Sequence, residues 1–408
     1  MNPFSESRFP TIGLRKVAQI QLGKMLQPQP IGAHDEYMPY LRAGSLANLD
    51  GKSLSMMWGS RSDKLTYGVV AGDILVAEGG DVGRAEFAPV VPPGTIIQNS
   101  LHRVRSEGGD SRFLRYCLHS IHQSAWLEVI CNKSTFGHLT LEKISSIKVP
   151  QPGLSTQRAV ADFLDAETAG IDSLVLSRAR QVDLVAEHFR SLVSETVTLG
   201  GPRPLRRHLV LLTSGPRGWA DLITDDGDLF IRSANLQRDA IDLDLTEIQC
   251  VSPQLSPEAT RSRVAAGDVL VGITGANCGW AAVADEHAVG GYVSQHVAIM
   301  RFKGVDPVWM AYCVFSTQGQ QALFAGQYGG TKQQLGLEDL ARLSVCVPTS
   351  DEQRAGAARL DARRRRSEAT VRDMRKQIAL LQERKQALTI AAVTGQLNLA
   401  RDIAEEVS

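Results

Sequence analysis

The chain is written twice. Shifted by 196 residues it falls on itself: Tyr116-Cys117 on Tyr312-Cys313, Leu139–Glu142 on Leu335–Glu338, Pro152 on Pro348, Gln157-Arg158 on Gln353-Arg354, Leu164-Asp165 on Leu360-Asp361, and Val197-Thr198 on Val393-Thr394. Upstream the offset drifts, as changes in loop length require. Gly72–Val76 matches Gly267–Val271 at 195, Leu14-Arg15 matches Leu205-Arg206 at 191, and Leu41-Arg42 with Leu46 matches Ile231-Arg232 with Leu236 at 190. Two copies of this length are too few and too long for a solenoid, whose repeats run to roughly 20–50 residues. They predict a duplicated domain with internal pseudo-twofold symmetry.

Each copy divides again. Its first part mixes short β-type runs (Gly68–Val70, Ile74–Val76, Val269–Val271) with helical patches at Phe113–Val129 and Pro307–Phe324. Glycines 79, 80, 83, 275 and 279 predict tight turns between strands. After Pro152 and Pro348 glycine and proline nearly vanish and helix formers take over. A 4-3 spacing then picks out Ile171, Val175, Arg178, Val182, Val185, Phe189, Leu192 and Thr196. The second copy gives Ser367, Val371, Met374, Ile378, Leu381, Lys385, Leu388 and Ala392.

A helix with such a stripe exposes it unless it is partnered, and two are present. The expected fold is therefore α+β: two globular domains, 1–153 and 200–349, separated by a pair of long antiparallel coiled-coil helices, 154–199 and 350–395, with a tail at 396–408. Each helix would span roughly 60 Å at about 1.5 Å per residue.

Composition narrows the function. Apolar residues at 43% and charged residues at 22% suit a folded chain, not a disordered one. Forty-four basic residues balance 44 acidic ones, which excludes a simple polycationic nucleic-acid binder. Charge is uneven: residues 1–150 carry +3, 201–350 carry −3 and 351–394 carry +5, with an arginine run at 363–366. The six cysteines form no C-x-x-C pair, so buried free thiols in a reducing compartment are expected, and no metal site. The start, Met1–Thr11, has no apolar core, and no run of about 18 apolar residues follows. The expected location is the cytoplasm.

No catalytic signature holds. Gly51-Lys52-Ser53 resembles the end of a phosphate-binding loop, but position 46 is Leu where Gly is required. There is no nucleophile elbow and no H-E-x-x-H helix. Pro92-Pro93 lies between Val91 and Gly94, which does not make the Asn/Asp-Pro-Pro-aromatic loop of amino-methyltransferases. His102, His119 and His122 have no acid or cysteine spaced to form a site with them. The expectation is a chain that is not an enzyme and holds no cofactor.

The residues that look aimed at a ligand are polar and lie in loops. They are Lys133, Thr135 and His138 before the first Leu-x-Leu-Glu, and Thr331, Lys332, Gln333 and Gln334 before the second. Asn99 and Gln98 sit opposite Gln295 and His296, and Arg42 matches Arg232. Such side chains hydrogen-bond base edges and phosphates, and their recurrence in both copies favours DNA over a solvated loop.

The doubled order of motifs resembles the specificity subunit of a Type I restriction-modification system. Gly72-Asp73, Leu139–Glu142, Pro152 and Gln157-Arg158 carry the resemblance, with Gly267-Asp268, Leu335–Glu338, Pro348 and Gln353-Arg354 and the closing Leu388–Leu397. It implies two target-recognition domains reading a bipartite site in double-stranded DNA, with the helices as a ruler for the unread spacer. It implies two modification (methyltransferase) subunits using S-adenosylmethionine to methylate adenine. It also implies restriction subunits, with ATP and Mg on those partners and no membrane. Two alternatives are a specificity module of another methylation or phage-defence system and a two-domain hydrolase.

Overall fold

The computed structural model describes residues 2–47, 54–131, 137–199, 201–326 and 334–397. The chain separates into two compact units, residues 1–177 with 377–408, and residues 178–376. Two long helices, Leu154–Thr196 and Ser350–Val393, each give one half to either unit.

In the first unit an antiparallel sheet has the order Ala18–Leu22, Leu101–Ser106, Ile74–Ala77, Ala85–Phe87. Its strand Ile74–Ala77 is buried along its whole length. Successive side chains of a strand point to opposite faces, so this apolar run feeds two cores. Ile74 and Val76 join Phe113 and Cys117 on one face, while Leu75 and Ala77 join Leu41 and Ile97 on the other. That second face meets a smaller sheet of Ser55–Gly59, Glu36–Leu41 and Ile96–Ile97, whose last two strands pair in parallel.

The second unit repeats this plan. Its sheet has the order Leu209–Ser214, Val297–Phe302, Val269–Gly272, Ala281–Val283. Val269 and Val271 face Trp309 and Tyr312, and Leu270 faces the core of Ile231 and Val293. Strand Asp228–Ile231 again pairs in parallel, here with Tyr292–Val293.

Most repeated motifs turn out to be joints of this frame. Asp73 and Asp268 are almost fully buried, and each holds an arginine of the neighbouring strand through two bonds. Arg105 donates at 2.6 and 2.7 Å to Asp73, and Arg301 at 2.7 and 2.8 Å to Asp268. Gln157 donates to the Pro152 carbonyl at 2.9 Å and accepts from the Asp110 amide at 2.9 Å; Gln353 does the same with Pro348 and Asp306 at 2.8 Å each. Asp110 and Asp306 cap the helices Ser111–His122 and Pro307–Phe315, so each glutamine ties a long helix to a capped short one. Tyr116 donates to Asp165 at 2.7 Å and Tyr312 to Asp361 at 2.6 Å, which locks the same pairs of helices a turn or more further on.

Within the first unit, Leu164 near the start of one long helix shares a core with Ala392 and Val393 at the end of the other. Further along, Asp172 receives Lys385 at 2.6 Å, so the two halves run antiparallel. There Ile171 is buried, and Val175, Ile378, Leu381 and Leu388 are half-buried. In the second unit Phe189 is buried, and Val182, Val185, Leu192, Val371 and Met374 are half-buried. A recess of about 500 Å³ separates the helix halves there, lined by Val185, Phe189, Leu192 and Met374 among others.

The structure departs from expectation in places. Gly68–Val70 is no strand; Gly68 makes only an isolated bridge to Ile96. Both helical patches break, into Ser111–His122 with Trp126–Ile130 and Pro307–Phe315 with Thr317–Gly326. Four cysteines are buried, but Cys250 and Cys346 are only half-buried. Of the arginine run, Arg364 is not solvated: it is buried and paired with Asp242 and with Glu368 at 2.8 Å. Among the described residues no helix is long and apolar enough to cross a membrane.

Candidate nucleic-acid interface

The parallel strand pair positions the polar residues. In the first unit Tyr40 pairs with Ile96 and Leu41 with Ile97, and the Leu41 carbonyl accepts from the Gln98 amide at 2.9 Å. Arg42, which is exposed, and Gln98-Asn99, half-buried, therefore leave the sheet side by side. A third segment closes on them: Lys24 accepts from the Asn99 amide at 2.9 Å. This approach needs the preceding glycine, because a Cβ on Gly23 would lie 2.3 Å from the Gln98 carbonyl oxygen.

A fourth segment follows. Glu78 donates its amide to Ser100 and accepts the Leu139 amide, each at 2.9 Å, and its carboxylate meets His138 Nδ1 at 3.0 Å. Arg42, Gln98, Asn99 and His138 thus gather around one strand end. Part of this set is already committed locally, since Gln98 accepts from the Ser100 amide at 3.2 Å and donates to the Asn99 side chain.

The second unit builds the same strand end with other chemistry. Phe230 pairs with Tyr292 and Ile231 with Val293, and the Ser294 amide donates to Ile231 at 2.8 Å. Gly215 replaces Gly23, with a Cβ there falling 1.9 Å from the Val293 oxygen. Ile273 takes the backbone place of Glu78, donating its amide to His296 and accepting the Leu335 amide, each at 2.9 Å; the next residue, Thr274, forms a bridge with Gln334, and its hydroxyl lies 2.5 Å from His296 Nδ1. Gln295 Nε2 lies 3.1 Å from His296 Nε2, so the histidine ring links the Gln295 side chain to the Thr274 hydroxyl. Arg232, Gln295, His296 and Gln334 are therefore neighbours, as their counterparts are in the first unit.

This register keeps Asn99 opposite Gln295 and corrects the other pairing: Gln98 corresponds to Ser294, and Ser100 to His296. Lys133, Thr135, Thr331, Lys332 and Gln333 lie outside the described residues.

Two recesses adjoin these strand ends. In the first unit a recess of about 430 Å³ is lined by Lys24, Met25, Gln27, Ile31 and Tyr67, with Met25 and Ile31 largely exposed. In the second, a recess of about 340 Å³ is lined by Trp219, Phe230, Arg232, Gln249, Gln295 and His296, with no carboxylate among the described lining residues. Trp219 is set by Tyr292, 5.4 Å away at 67°.

Sequence reasoning missed Trp219, Gln249 and Thr274. A signal existed for the first: Ser214–Trp219 is a glycine- and proline-rich turn ending in an aromatic directly after the strand Leu209–Ser214. Among the described residues no group of His, Cys, Asp and Glu is placed to hold a metal ion.

Residues 9–174 match the family described as the Type I restriction modification DNA specificity domain. No curated protein sequence matches the chain. A solved structure described as the structural basis of complex assembly and conformational transition of the type I R-M system has a TM-score of 0.67 at 17% identity, covering 95% of this chain and 98% of that one. This likeness establishes a shared fold. The HsdS subunit from Thermoanaerobacter tengcongensis is 17% identical over 95% of this chain and 97% of its own, with a TM-score of 0.46. The S subunit of a Type-I restriction-modification system from M. genitalium is 13% identical over 95% and 96%, with a TM-score of 0.37.

Proposed function

We propose that the chain, whose residues 9–174 match the Type I restriction modification DNA specificity domain, is the DNA-recognising, non-catalytic subunit of a Type I restriction-modification complex, and that its two units read the two halves of a bipartite site in duplex DNA. The observation that carries this reading is the doubled strand end. The same backbone arrangement presents Arg42, Gln98, Asn99 and His138 in one unit and Arg232, Gln295, His296 and Gln334 in the other. A constant frame with different side chains at its tip is what two different half-sites require. The family match stops at residue 174, and the internal repeat extends the assignment to the second copy.

Lys133, Thr135, Thr331, Lys332 and Gln333 belong to the same proposal by their place in the sequence. The long helices set the spacing of the half-sites and offer their seam, from Ile171 to Leu192 and Val371 to Leu388, as the scaffold for assembly. Two modification subunits supply S-adenosylmethionine chemistry, and restriction subunits supply ATP- and Mg-dependent cleavage. The neutral net charge supports this division, because the partners then provide much of the phosphate contact.

Methylome sequencing of a strain expressing the complex tests the reading. A bipartite methylated motif is expected, and Gln334→Ala should relax bases in one half only, since a good bidentate contact carries about 1–3 kcal/mol of discrimination. A contiguous motif, or relaxation in both halves, would refute it.

A further inference from the structure

The recess of the second unit has a composition that selects its occupant. Among the described residues its only cation is Arg232 and no carboxylate lines it, although residues 201–350 as a whole carry −3. The Nε of Arg232 is buried and has no hydrogen-bond partner among the described residues. A buried charged donor without an acceptor is unfavourable, so the site is complete only when something supplies one. Trp219, Ile223 and Phe230 form apolar walls beside it. A phosphate keeps most of its oxygens hydrated and gains little from such walls, whereas a base-pair edge in the major groove carries its acceptors beside C–H and methyl groups that apolar walls can meet. A guanidinium has donors only, arranged as a fork. It therefore fits an edge with two adjacent acceptors and clashes with the amino group on adenine or cytosine. In the major groove guanine alone offers that pair, O6 and N7.

We propose that this recess is the subsite in which the second unit reads a guanine of its half-site, Arg232 donating to O6 and N7 against the wall of Trp219. The proposal rests on the bipartite-recognition reading above. It adds a base and a residue to that reading. The first unit is not built alike: its recess is lined by Lys24, which is tied to Asp63 at 3.0 Å, so the two half-sites are not expected to share this contact.

The test uses the assembled complex and duplexes carrying its methylated site. 7-Deazaguanine, which lacks the N7 acceptor, is placed at each guanine of each half-site in turn. At one guanine of one half-site, binding should weaken about ten-fold or more, the lower part of the range for a bidentate contact. Inosine at that place keeps O6 and N7 and should be tolerated. Arg232→Ala should lose the sensitivity to 7-deazaguanine at that position and at no other. Tolerance of 7-deazaguanine throughout, with bipartite binding intact, overturns the guanine subsite and leaves the bipartite reading standing. So does a sensitivity that Arg232→Ala retains. Failure to bind any bipartite site overturns both. The base substitutions are made on unaltered protein, so an Arg232 variant that does not fold leaves the proposal open to refutation.

Discussion

Gly356 and Trp309 form a size exchange that can be tested by mutation. In the second long helix Gly356 lies against Trp309, which is fully buried, and a Cβ on Gly356 would sit 2.5 Å from Cζ3 and 3.2 Å from Cε3 of the indole. Carbon atoms prefer about 3.5–4.0 Å. At the matching positions of the first copy stand Val160 and Phe113, both buried in one core. The larger ring thus goes with no side chain, and the smaller ring with a valine. Gly356→Ala would gain about 0.5–1 kcal/mol of helix propensity, but overpacking costs about 1–3 kcal/mol. A buried indole has nowhere to swing, so the net change is a loss of about 1–2 kcal/mol. Gly356→Val adds two methyls and should approach the upper end, about 3 kcal/mol. Trp309→Phe alone leaves a cavity and removes the bond from Trp309 Nε1 to the Cys346 carbonyl at 2.9 Å. The double variant reproduces the first copy's pair. It should be more stable than the sum of the single changes by about 1–2 kcal/mol, within the range for residues in contact. Because a chain of two units need not unfold in one step, the readout is amide exchange within the helix Pro307–Phe315. A stabilising Gly356→Ala, or additive single changes, would refute the reasoning.

The buried pairs of the sheets should respond unequally to loss of either partner. Asp268 has no exposure and Arg301 keeps 36%, so Arg301→Ala strands a buried carboxylate and should cost about 3–5 kcal/mol, against about 1–3 kcal/mol for Asp268→Ala; amide exchange in the strand Val269–Gly272 that is as fast or faster in Asp268 variants than in Arg301 variants would contradict this. Acid should weaken the first unit through His119, whose pKa is pushed down to about 4, first by burial and then by Arg115, His122 and Lys385. The unfolded chain then binds the proton first. The stability from neutral His119 is complete above its ordinary value near 6.5 and is lost as pH falls towards 4, to a total of about 3 kcal/mol. His119→Gln should flatten the stability profile in that window, leaving the smaller slope due to His102, which burial shifts the same way; an unchanged profile would show that His119 is not the group.

The sequence carried the frame far better than the tip. Repetition at a fixed offset exposes whatever both copies need, and both need the same joints: the aspartate under each sheet arginine, the glutamine at the start of each long helix, and the tyrosine that reaches it. These residues are legible because their partners recur with them. Asp73 with Arg105 and Asp268 with Arg301 are the same contact made twice. The heptad stripes were legible for a related reason, since burial of one face leaves a period that survives changes of residue. Gly68–Val70 misled because two valines after a turn suit a strand locally, while only the fold decides whether a partner strand lies beside them.

The tip was legible only in outline because it must differ between copies. Glu78 in one unit stands where Ile273 stands in the other, and the side chain that meets a histidine moves by one residue: Glu78 meets His138, and Thr274 meets His296. Comparing the copies therefore erases the residues proposed to discriminate bases, and it set Gln98 against His296 where the register has Ser294. Trp219 escaped for the same reason: nothing in the first copy repeats it. What could be carried over was the shared strand end, fixed by a glycine whose Cβ would strike the neighbouring backbone in both units. That constraint predicts where recognition residues sit in either copy without saying which bases they read. Arg232 Nε, without a hydrogen-bond partner among the described residues, supplies the chemical asymmetry that repetition alone does not contain.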